Sequence, residues 1–535
     1  MFGSPFVPLP PAFTVPMRRR SHLPGLGLSL AAAASLFLAP ARLQAQEPYA
    51  GLESYVNAAI RTWKVPGLAI AIVRNDSVIY THGFGTLAVG STTPVDDRTL
   101  FEIGSSSKAF TATLVAMEVS DGKMKYDQKL TELLPDFRLY DAEANAEATV
   151  RDALTHRTGI ARGELAWLGA GVSRAEVLHR VRFLKPESPF RSKWSYQNMM
   201  YLAAGEAAAK AAGDSWDNLV RNRIFVPLGM TSTYTMVPTD NPNVATPHGL
   251  IGDSVYTKPH MDIQDVAPAG AIVSNARDMA QWLRFQLNDG TVNGKRLVSH
   301  VALAETHAPQ ILMAPGVNPR TVSDTAPATT LFSAYGMGWM VEDYHHLLMW
   351  QHGGNTDGMT TAVGMLPEKK LGVVVLSSMN GAQLPALLMH YIFDRQLGLP
   401  MQDLSAEAFA RYAVQRKRAD SVEAAQKRPA HAEPPLPLSA YVGTYADSLY
   451  GEATISMANG QLDLARGSWH GPLEYWNAGQ FRWTVLPSSP VPPLFIKFDT
   501  SPDGKVTGLY FGIGNDVDLM GRKPTGRAAA RAAGQ

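Results

Sequence analysis

A serine and a lysine three residues apart are the first candidates for chemistry. Gly104-Ser105-Ser106-Ser107-Lys108 carries a Ser-x-x-Lys pattern where a predicted strand gives way to a predicted helix. In the first turn of a helix the side chains at i and i+3 share one face, so Lys108 can reach the Ser105 hydroxyl. The free N–H groups at a helix start also favour a developing negative charge. A buried lysine loses proton affinity and can then deprotonate or position a nucleophile.

The same pattern recurs at Ser120-Asp121-Gly122-Lys123, so the pattern alone does not identify a nucleophile. This second copy lies at the end of the predicted helix, beside a glycine turn. A lysine at that place is typical of a solvated charge at a helix C-terminus. Position relative to the helix therefore favours Ser105 over Ser120.

A tyrosine and an asparagine form the second candidate, in Trp194-Ser195-Tyr196-Gln197-Asn198, a loop before an apolar helix. A free phenol with a pKa of about 10 is a poor base, but an adjacent ammonium favours the phenolate. Asn198 can donate and accept hydrogen bonds that fix the lysine and a substrate amide. Two further Tyr-x-Asn patterns, at 55–57 and 475–477, fit a helix face and a barrel strand and are predicted to be structural.

The third candidate is Gln351-His352-Gly353-Gly354-Asn355, next to a predicted strand. Two glycines beside a strand indicate a close approach of a ligand to the backbone. An N–H of this segment and that of Ser105 could form an oxyanion hole for a tetrahedral intermediate. A tight turn with a surface histidine explains the same residues, and turn chemistry favours it when the motif is taken alone.

Other polar groups near these motifs have structural explanations. His345-His346 fits a strand end at the surface, because no third metal ligand stands at a useful spacing. Glu102 and Asp357 are predicted to form salt bridges.

Composition excludes several classes of protein. The chain has 535 residues, 45% of them hydrophobic, which predicts two or more folded units and excludes wholesale disorder. Lys+Arg number 48 against 47 Asp+Glu, so no surplus of positive charge argues for nucleic-acid binding. Cysteine is absent, which excludes disulfides, thiolate nucleophiles and Cys-ligated metals. Any chemistry must therefore use oxygen and nitrogen groups.

Residues 1–45 are predicted to be a secretory signal peptide, with Met17 as an alternative start. Three arginines at 18–20 precede an apolar run, and the small residue Ala45 precedes the expected cleavage point. A membrane anchor is the alternative, but prolines and glycines bracket a run shorter than the roughly 20 residues that span a bilayer. We expect a periplasmic or secreted protein with no integral membrane segment after cleavage.

Residues 49–399 alternate helical and strand patterns. Strands come first, helices lie in the middle and strands return at the end, which predicts an α/β (α+β) domain whose single sheet is completed by both ends. The principal predicted elements are the helix Leu52–Lys64, the hairpin Leu68–Val73 with Val78–Tyr80, the buried helix Ala109–Val119, the helix Ala203–Ala212, and the antiparallel pair Thr360–Leu366 with Leu371–Leu376.

The C-terminal region has a different character. Residues 400–437 are predicted to be a helical and proline-rich linker, and residues 523–535 a disordered tail rich in Ala, Arg and Gly. Between them, residues 438–522 hold short strands separated by turn dipeptides such as Asn459-Gly460 and Gly471-Pro472, typical of a small antiparallel β-barrel. Its aromatic residues are predicted to fill the barrel core, with a carrier of an apolar ligand or an assembly surface as alternatives. These aromatic residues are Trp469, Tyr475, Trp476, Phe481 and Trp483.

The three motifs in this order resemble the serine β-lactamase and penicillin-binding-protein-like superfamily. The similarity is to its class C-related serine hydrolases, of the peptidase S12 and family VIII esterase type, and covers roughly residues 49–399. Three longer phrases carry the resemblance more specifically than the catalytic triplets: 154–159, 224–230 and 335–339. The region after Pro437 resembles the lipocalin-like C-terminal domain of some members.

The resemblance implies a β-lactamase-like antiparallel sheet with flanking helices and a helical subdomain, and no metal or organic cofactor. It implies Ser105 as the acylated nucleophile and Lys108 as its activating partner. Tyr196 is implied as general base and leaving-group acid, and Asn198 as a substrate-orienting group.

One departure from the family pattern concerns substrate choice. His352 stands where most β-lactamases carry the lysine of a Lys-Thr-Gly motif, with Gly353 in place of the threonine and Gly354 as the glycine. The lysine charge and threonine hydroxyl help to hold a β-lactam carboxylate, so their loss ranks antibiotic hydrolysis lower. The Asn355 N–H stays available for the oxyanion.

The sequence therefore predicts an exported serine hydrolase that forms a Ser105 acyl-enzyme. Its expected substrates are short peptides, among them peptides that contain unusual or D-amino-acid residues. The alternatives are a carboxylesterase, a β-lactamase, or a penicillin-binding sensor that is acylated without turnover. The expected partners are a small peptide, ester or β-lactam-like substrate and no nucleic acid, with oligomer assembly through the barrel left open.

Overall fold

The structure is a computed structural model that describes residues 49, 51–313, 332–425, 432–477, 479–485, 494–513 and 516–523. The predicted signal segment 1–45 lies outside these residues, and so does the predicted tail beyond 523. Within the described ranges, no helix combines the length and the apolar character needed to cross a bilayer.

Eight antiparallel strands form the central sheet. The first two strands of the sheet domain lie at one edge of this sheet, next to the last strand of that domain. The hairpin at the N-terminal end of the sheet pairs with the final strand, from Leu68 opposite Ser377 to Arg74 opposite Leu371. The prediction of one sheet completed by both ends is confirmed. In spatial order the strands are Ser77–Gly85, Gly67–Arg74, Leu371–Ser377, Met359–Leu366, Leu347–Thr356, Met340–Tyr344, Ser333–Tyr335 and Ile311–Leu312.

The strand Gly67–Arg74 shows how the sheet is covered on both faces. Its larger side chains at 68, 70 and 72 pack in one apolar cluster with the helices Leu52–Trp63 and Leu384–Leu397. Its smaller residues Ala69 and Ala71 belong to the opposite cluster, which holds the helices around the nucleophile. Alternation along a strand sends neighbouring side chains to opposite faces, and burial of each large aliphatic group stabilises the fold by roughly 1.5–3 kcal/mol.

Helices fill the middle of this domain, as predicted, and cover the sheet. The helix predicted over Ala203–Ala212 begins earlier, at Asn198, because the Gln197 side chain caps it by accepting from the Met199 N–H, and it ends before Gly213. The α-helices are Leu52–Trp63, Ser107–Ser120, Leu130–Leu133, Ala142–Glu147, Val150–Leu154, Arg174–Arg180, Asn198–Ala212, Trp216–Val220, Val226–Leu228, Ala267–Gly270, Ala276–Leu287, His300–His307, Leu384–Leu397 and Leu404–Ala425.

Three two-stranded sheets accompany the central one: Phe101–Glu102 with Val273–Ser274, His248–Ile251 with Ser254–Thr257, and Thr291–Val292 with Lys295–Arg296. The first of them leads, through a 3₁₀ turn at Gly104–Ser106, into the helix Ser107–Ser120. The helix Leu404–Ala425 follows the sheet domain and packs Phe409 and Tyr412 against Trp63.

The C-terminal region is a closed, eight-stranded antiparallel barrel, which confirms the predicted architecture. Its strands are Gly443–Asp447, Gly451–Ala458, Gln461–Arg466, Trp469–Asn477, Gln480–Trp483, Leu494–Thr500, Val506–Ile513 and Asp516–Arg522. The predicted turn at Gly471-Pro472 is wrong, since both residues lie inside a strand and Pro472 pairs with Asp463. The carbonyl of Pro472 still accepts the Thr484 N–H at 3.1 Å, so the ladder loses one donor and continues.

Candidate active site

Ser105 lies in a single 3₁₀ turn, Gly104–Ser106, between the strand Phe101–Glu102 and the helix Ser107–Ser120. Gly104 has a positive φ of 50°, and a Cβ there would lie 2.7 Å from the backbone nitrogen of Asn355. Only glycine therefore allows the chain to turn at this distance from the neighbouring strand. The turn leaves the Ser105 side chain half-buried at the start of the helix.

Lys108 is fully buried and faces Ser105. Its Nζ lies 3.2 Å from Ser105 Oγ, 2.7 Å from Asn198 Oδ1 and 2.8 Å from the carbonyl oxygen of Ala269. Burial lowers the pKa of Lys108 well below its usual value, because an ammonium is costly to desolvate. The carboxylate of Glu164 opposes this change in pKa.

Tyr196 contacts the same serine oxygen from another side. Its hydroxyl donates a hydrogen bond of 2.6 Å to Ser105 Oγ, and Lys108 Nζ lies 4.7 Å from the ring centre. Burial raises the pKa of the Tyr196 phenol, although the hydrogen bond to Ser105 acts in the opposite direction. Burial thus outweighs both this hydrogen bond and the positive charge of Arg162, and the phenolate that we expected the lysine to favour is not stabilised.

These contacts suit a neutral amine beside a neutral phenol. A neutral lysine has two N–H donors and one lone pair, and the shorter contacts of Lys108 are to two pure acceptors, Asn198 Oδ1 and Ala269 O. The lone pair then faces the Ser105 hydroxyl at the longer distance of 3.2 Å. With the amine neutral, the Ser105 hydroxyl can donate to Lys108 Nζ while its oxygen accepts from Tyr196.

Asn198 connects this group to a carboxylate that sequence reasoning missed. Its Oδ1 faces Lys108, while its Nδ2 lies 3.2 Å from both carboxylate oxygens of Glu164. Glu164 also accepts from Arg162 Nε at 2.7 Å. The available signal was the Arg-x-Glu spacing shortly after the family-like phrase at 154–159, but a surface ion pair explains such a spacing equally well.

His352 lies inside the strand Leu347–Thr356 and is 3% exposed, so the alternative of a tight turn with a surface histidine is wrong. Its Nδ1 is 2.6 Å from the carbonyl oxygen of Gly353 and its Nε2 is 3.0 Å from the Tyr335 hydroxyl. Burial lowers the pKa of His352 to about 3. The neutral ring donates from Nδ1 and accepts from Tyr335, and it offers no positive charge to a substrate.

The two glycines after His352 have different surroundings. A Cβ at Gly354 would overlap the carbonyl oxygen of Ile103, so this glycine lets the strand lie directly against the nucleophile turn. A Cβ at Gly353 would meet the carbonyl oxygen of Thr361 at an ordinary 3.5 Å. The two glycines predicted that a ligand approaches the backbone closely. At Gly354, the group that approaches is instead the protein's own backbone, at Ile103.

Asn355 completes this strand edge. Its backbone lies against Gly104, the residue before the nucleophile, and its side-chain oxygen accepts a hydrogen bond of 2.8 Å from Thr360 Oγ1. The Asn355 side chain is thus fixed to the neighbouring strand. The backbone of the third motif is the part that lies next to Ser105.

A buried histidine that we did not single out supports the tyrosine loop. His156 has a positive φ of 58°, and its Nδ1 accepts the Gln197 N–H at 3.0 Å. Burial lowers the pKa of His156 well below its usual value, so the ring is neutral. It packs at 4.5–5.0 Å between the rings of three tyrosines, Tyr196, Tyr201 and Tyr335.

The remaining polar candidates have structural partners. Glu102 Oε1 lies within hydrogen-bond distance of His260 Nδ1, at 3.0 Å, and Asp357 forms the predicted salt bridge, with Lys258. In the second Ser-x-x-Lys pattern, Lys123 pairs with Glu118 at 2.9 Å. Among the residues described, no group of three His, Asp or Glu side chains is arranged to hold a metal ion.

Two family comparisons cover most of the chain. The sequence model of the family described as Beta-lactamase matches residues 52–394, which include the Ser105, Tyr196 and His352 motifs. A second one, described as a domain of unknown function (DUF3471), matches residues 427–524 and so covers the barrel strands.

Individual proteins extend this similarity. The chain is 28% identical to the unguisins hydrolase ungD of Aspergillus violaceofuscus over 453 residues, 77% of this chain and 78% of that protein. The octameric penicillin-binding protein homologue from Pyrococcus abyssi shares the fold with a TM-score of 0.58 and 21% identity, over 89% of this chain and 98% of the other. The class C beta lactamase from Rhodobacter sphaeroides has a TM-score of 0.53 and 22% identity, over 66% of this chain and 99% of the other.

Proposed function

Because the chain belongs to the beta-lactamase family of serine hydrolases, we propose that Ser105 cleaves an amide or ester bond through an acyl-enzyme. The observation that carries the proposal is the convergence of two proton-transfer groups on one oxygen. Ser105 Oγ lies 3.2 Å from Lys108 Nζ and 2.6 Å from Tyr196 Oη. Such distances place both groups within reach for general acid–base catalysis.

In the proposed acylation step, the neutral Lys108 amine accepts the proton of Ser105 as Oγ attacks the substrate carbonyl carbon. The tetrahedral oxyanion is held by the backbone N–H groups of Ser105 and Asn355, whose segments lie against each other. Asn198 and the carbonyl of Ala269 hold the amine in place as it becomes an ammonium.

Tyr196 serves as the acid for the leaving group. When the tetrahedral intermediate collapses, its hydroxyl gives a proton to the departing nitrogen or oxygen, and the Lys108 ammonium returns a proton to the phenolate. Water then attacks the acyl-enzyme and loses a proton to the same pair, and Ser105 leaves protonated. The raised pKa of Tyr196 fits this order, since a neutral phenol can donate in the first step.

The third motif supports a peptide or ester substrate over a β-lactam. His352 is neutral and buried, and Gly353 has no hydroxyl, so the two groups that resemble a carboxylate receptor in lactamases are missing here. We propose a peptidase that acts on short peptides after export to the periplasm or medium. The similarity to the unguisins hydrolase supports hydrolysis over mere ligand storage.

A substrate panel tests this assignment. The mature protein would be assayed with a chromogenic ester, a cephalosporin, and matched L- and D-amino-acid anilides, with intact mass recorded after a phosphonate probe. Turnover of the anilides or ester above that of the cephalosporin, with one probe adduct, is the expected result. A stable penicillin adduct with no steady-state product would instead identify a sensor. Absence of any adduct and any turnover would refute the serine hydrolase mechanism.

A further inference from the structure

A loop of the hydrolase domain is gripped by the barrel at one end. We call residues 164–169 the gripped loop; it begins with the 3₁₀ turn Glu164–Ala166. Arg466 reaches it from the barrel and is 2% exposed. Its guanidinium donates to the carbonyl oxygen of Leu165 and, at 3.1 Å, to that of Leu168. A third donor bond, to Tyr450 O, ties the same guanidinium to the barrel.

The backbones of the two domains also meet at this loop. Ser468 N–H donates to the carbonyl oxygen of Gly169 at 3.0 Å. A Cβ at Gly169 would overlap the indole of Trp469, and a Cβ at Gly467 would overlap Gly169 O. Trp469, which we predicted as filling for the barrel core, therefore packs against the hydrolase loop. Both glycines permit a contact too close for any other residue.

The other side of the gripped loop reaches the catalytic group. Gln197 Nε2 donates to the carbonyl oxygens of Ala161 and Arg162, at 2.6 and 3.1 Å. The Glu164 carboxylate, one residue from Leu165, receives both contacts from Asn198 Nδ2. Leu165, whose carbonyl accepts from Arg466, thus directly follows Glu164, whose carboxylate orients Asn198.

We propose that Arg466 is a positioning residue of the active site, which acts from the barrel by fixing Leu165 and hence the Glu164 carboxylate against Asn198. Asn198 in turn holds Lys108 beside Ser105. The barrel is then a working part of the hydrolase, and its removal or loosening changes catalysis at Lys108. This inference rests on the proposed role of Lys108 as the amine that accepts the serine proton.

The charge on Glu164 gives the proposal a measurable signature. Burial lowers the pKa of Lys108, and the Glu164 carboxylate is the charge that raises it again, while Arg162 lowers it. A carboxylate that drifts away leaves Lys108 neutral at lower pH. Other groups that face Lys108 stay in place in such a variant: Tyr196, Tyr201, His156 and His352.

The direction of the change in the Lys108 pKa distinguishes displacement of the Glu164 carboxylate from the direct effect of removing the Arg466 charge. Arg466 is itself positive, and loss of a positive charge raises the pKa of a neighbouring lysine. Loss of Glu164 from its place lowers that pKa. An acidic limb that moves to lower pH in an Arg466 variant therefore reports displacement of the carboxylate.

The test compares Arg466→Met, Glu164→Gln and the double variant, with Tyr445→Phe as the control. Tyr445→Phe also removes a buried hydrogen bond, to Tyr441 O at 2.6 Å, and both partners of that bond belong to the C-terminal region. The readout is the pH dependence of Ser105 acylation by a phosphonate. We expect Arg466→Met to slow acylation about tenfold or more, since small misplacements of catalytic groups have large costs, and to move the acidic limb to lower pH. The double variant should match Glu164→Gln alone, because both changes act through one carboxylate.

Each remaining outcome has a defined meaning. An acidic limb and rate in Arg466→Met equal to those of Tyr445→Phe would overturn the inference and leave the proposed function intact. Independent, additive effects in the double variant would also overturn it. If Arg466→Met does not fold, Arg466→Lys keeps the buried charge but loses the planar fork, and the same shift is expected from it. Failure of the wild-type protein to label at all would refute the proposed function itself.

Discussion

The hydroxyl of Tyr196 lies closer to the oxygen of Ser105, at 2.6 Å, than the amine of Lys108 does, at 3.2 Å. The short bond belongs to a group that donates, and the longer one to a group whose other two contacts are to acceptors. Proximity therefore does not select the base. In the proposed mechanism the first proton transfer goes to Lys108, which has two further acceptor contacts, and the second comes from Tyr196.

Replacement of Tyr196 by Phe removes the leaving-group acid while keeping the ring. We expect a rate loss of at least about 10²-fold on anilides, the usual contribution of a positioned proton donor. Esters of acidic phenols need less help in departure and should lose less. Steady-state rates over a series of leaving groups measure this, and an equal loss across the series would move the acid role to another residue.

Lys108→Met should lower kcat/KM about 10³-fold, within the range for loss of a general base. Lys108→Arg should be as slow, because a guanidinium stays protonated and cannot accept the serine proton. Lys123→Met, in the second Ser-x-x-Lys pattern, is the matched control with wild-type rates expected. An Lys108→Arg variant with near-normal activity would contradict the neutral-amine mechanism.

The pH profile of the wild-type protein follows from the same amine. Burial lowers the pKa of Lys108, so the neutral form is available at lower pH than for an exposed lysine. Acylation should rise as pH increases through that pKa and then level off. A rate measured from pH 4 to pH 9 that rises in step with the pKa of an ordinary exposed lysine would show that the amine is not desolvated during catalysis.

Ser105→Ala should abolish turnover and the mass gain from a phosphonate. Ser120→Ala, which removes the hydroxyl of the second pattern, should leave both unchanged. Ser120 lies at the end of the same helix and its Oγ accepts the Ser299 N–H at 3.0 Å. Retention of the adduct in Ser105→Ala would locate the nucleophile elsewhere.

Stability should fall in acid because of buried neutral histidines. His307 is stacked on Trp350 at 3.8 Å, and burial lowers its pKa from 6.5 to about 3. Between these values the unfolded chain binds the proton and the folded chain does not, so stability is complete above pH 6.5 and falls as pH drops towards 3. The slope is about 1.4 kcal/mol per pH unit for each such group.

His307→Gln should reduce the slope of the free energy of unfolding against pH by the contribution of one histidine, about 1.4 kcal/mol per pH unit. The free energy of unfolding from denaturant titrations at several pH values between 4 and 7 measures it. His300→Gln is the control, since His300 is exposed on the same helix. An unchanged slope in His307→Gln would show that the histidine is protonated in the folded chain.

Sequence reasoning placed Ser105 and Lys108 correctly beside each other, because three residues of continuous helical chain bring their side chains to one face. It also gave the central sheet, since alternating and continuous apolar runs mark buried strands. It could not give the protonation of Tyr196 and Lys108. The protonation depends on the packing around both side chains, where burial is the largest influence on each pKa.

Sequence analysis also did not predict the contacts between segments that are distant along the chain. Glu164 and Arg466 carry no motif, and their roles depend on a loop of one domain lying against a turn of the other. Only the end of the barrel strand Trp469–Asn477 was predicted, at 475–477, because Gly471-Pro472 has the composition of a turn. In the closed barrel, pairing on both sides overrides that local preference.

The space around Gly353 differs from that around Gly354, and this difference indicates which of the two positions can accept a side chain. Substitution at 354 drives a side chain into the Ile103 carbonyl, whereas a Cβ at 353 meets Thr361 O at an ordinary contact distance. A library that varies residue 353 should therefore retain folded variants. The neighbouring position tolerates no such exploration, and variants there will be lost from a selected library.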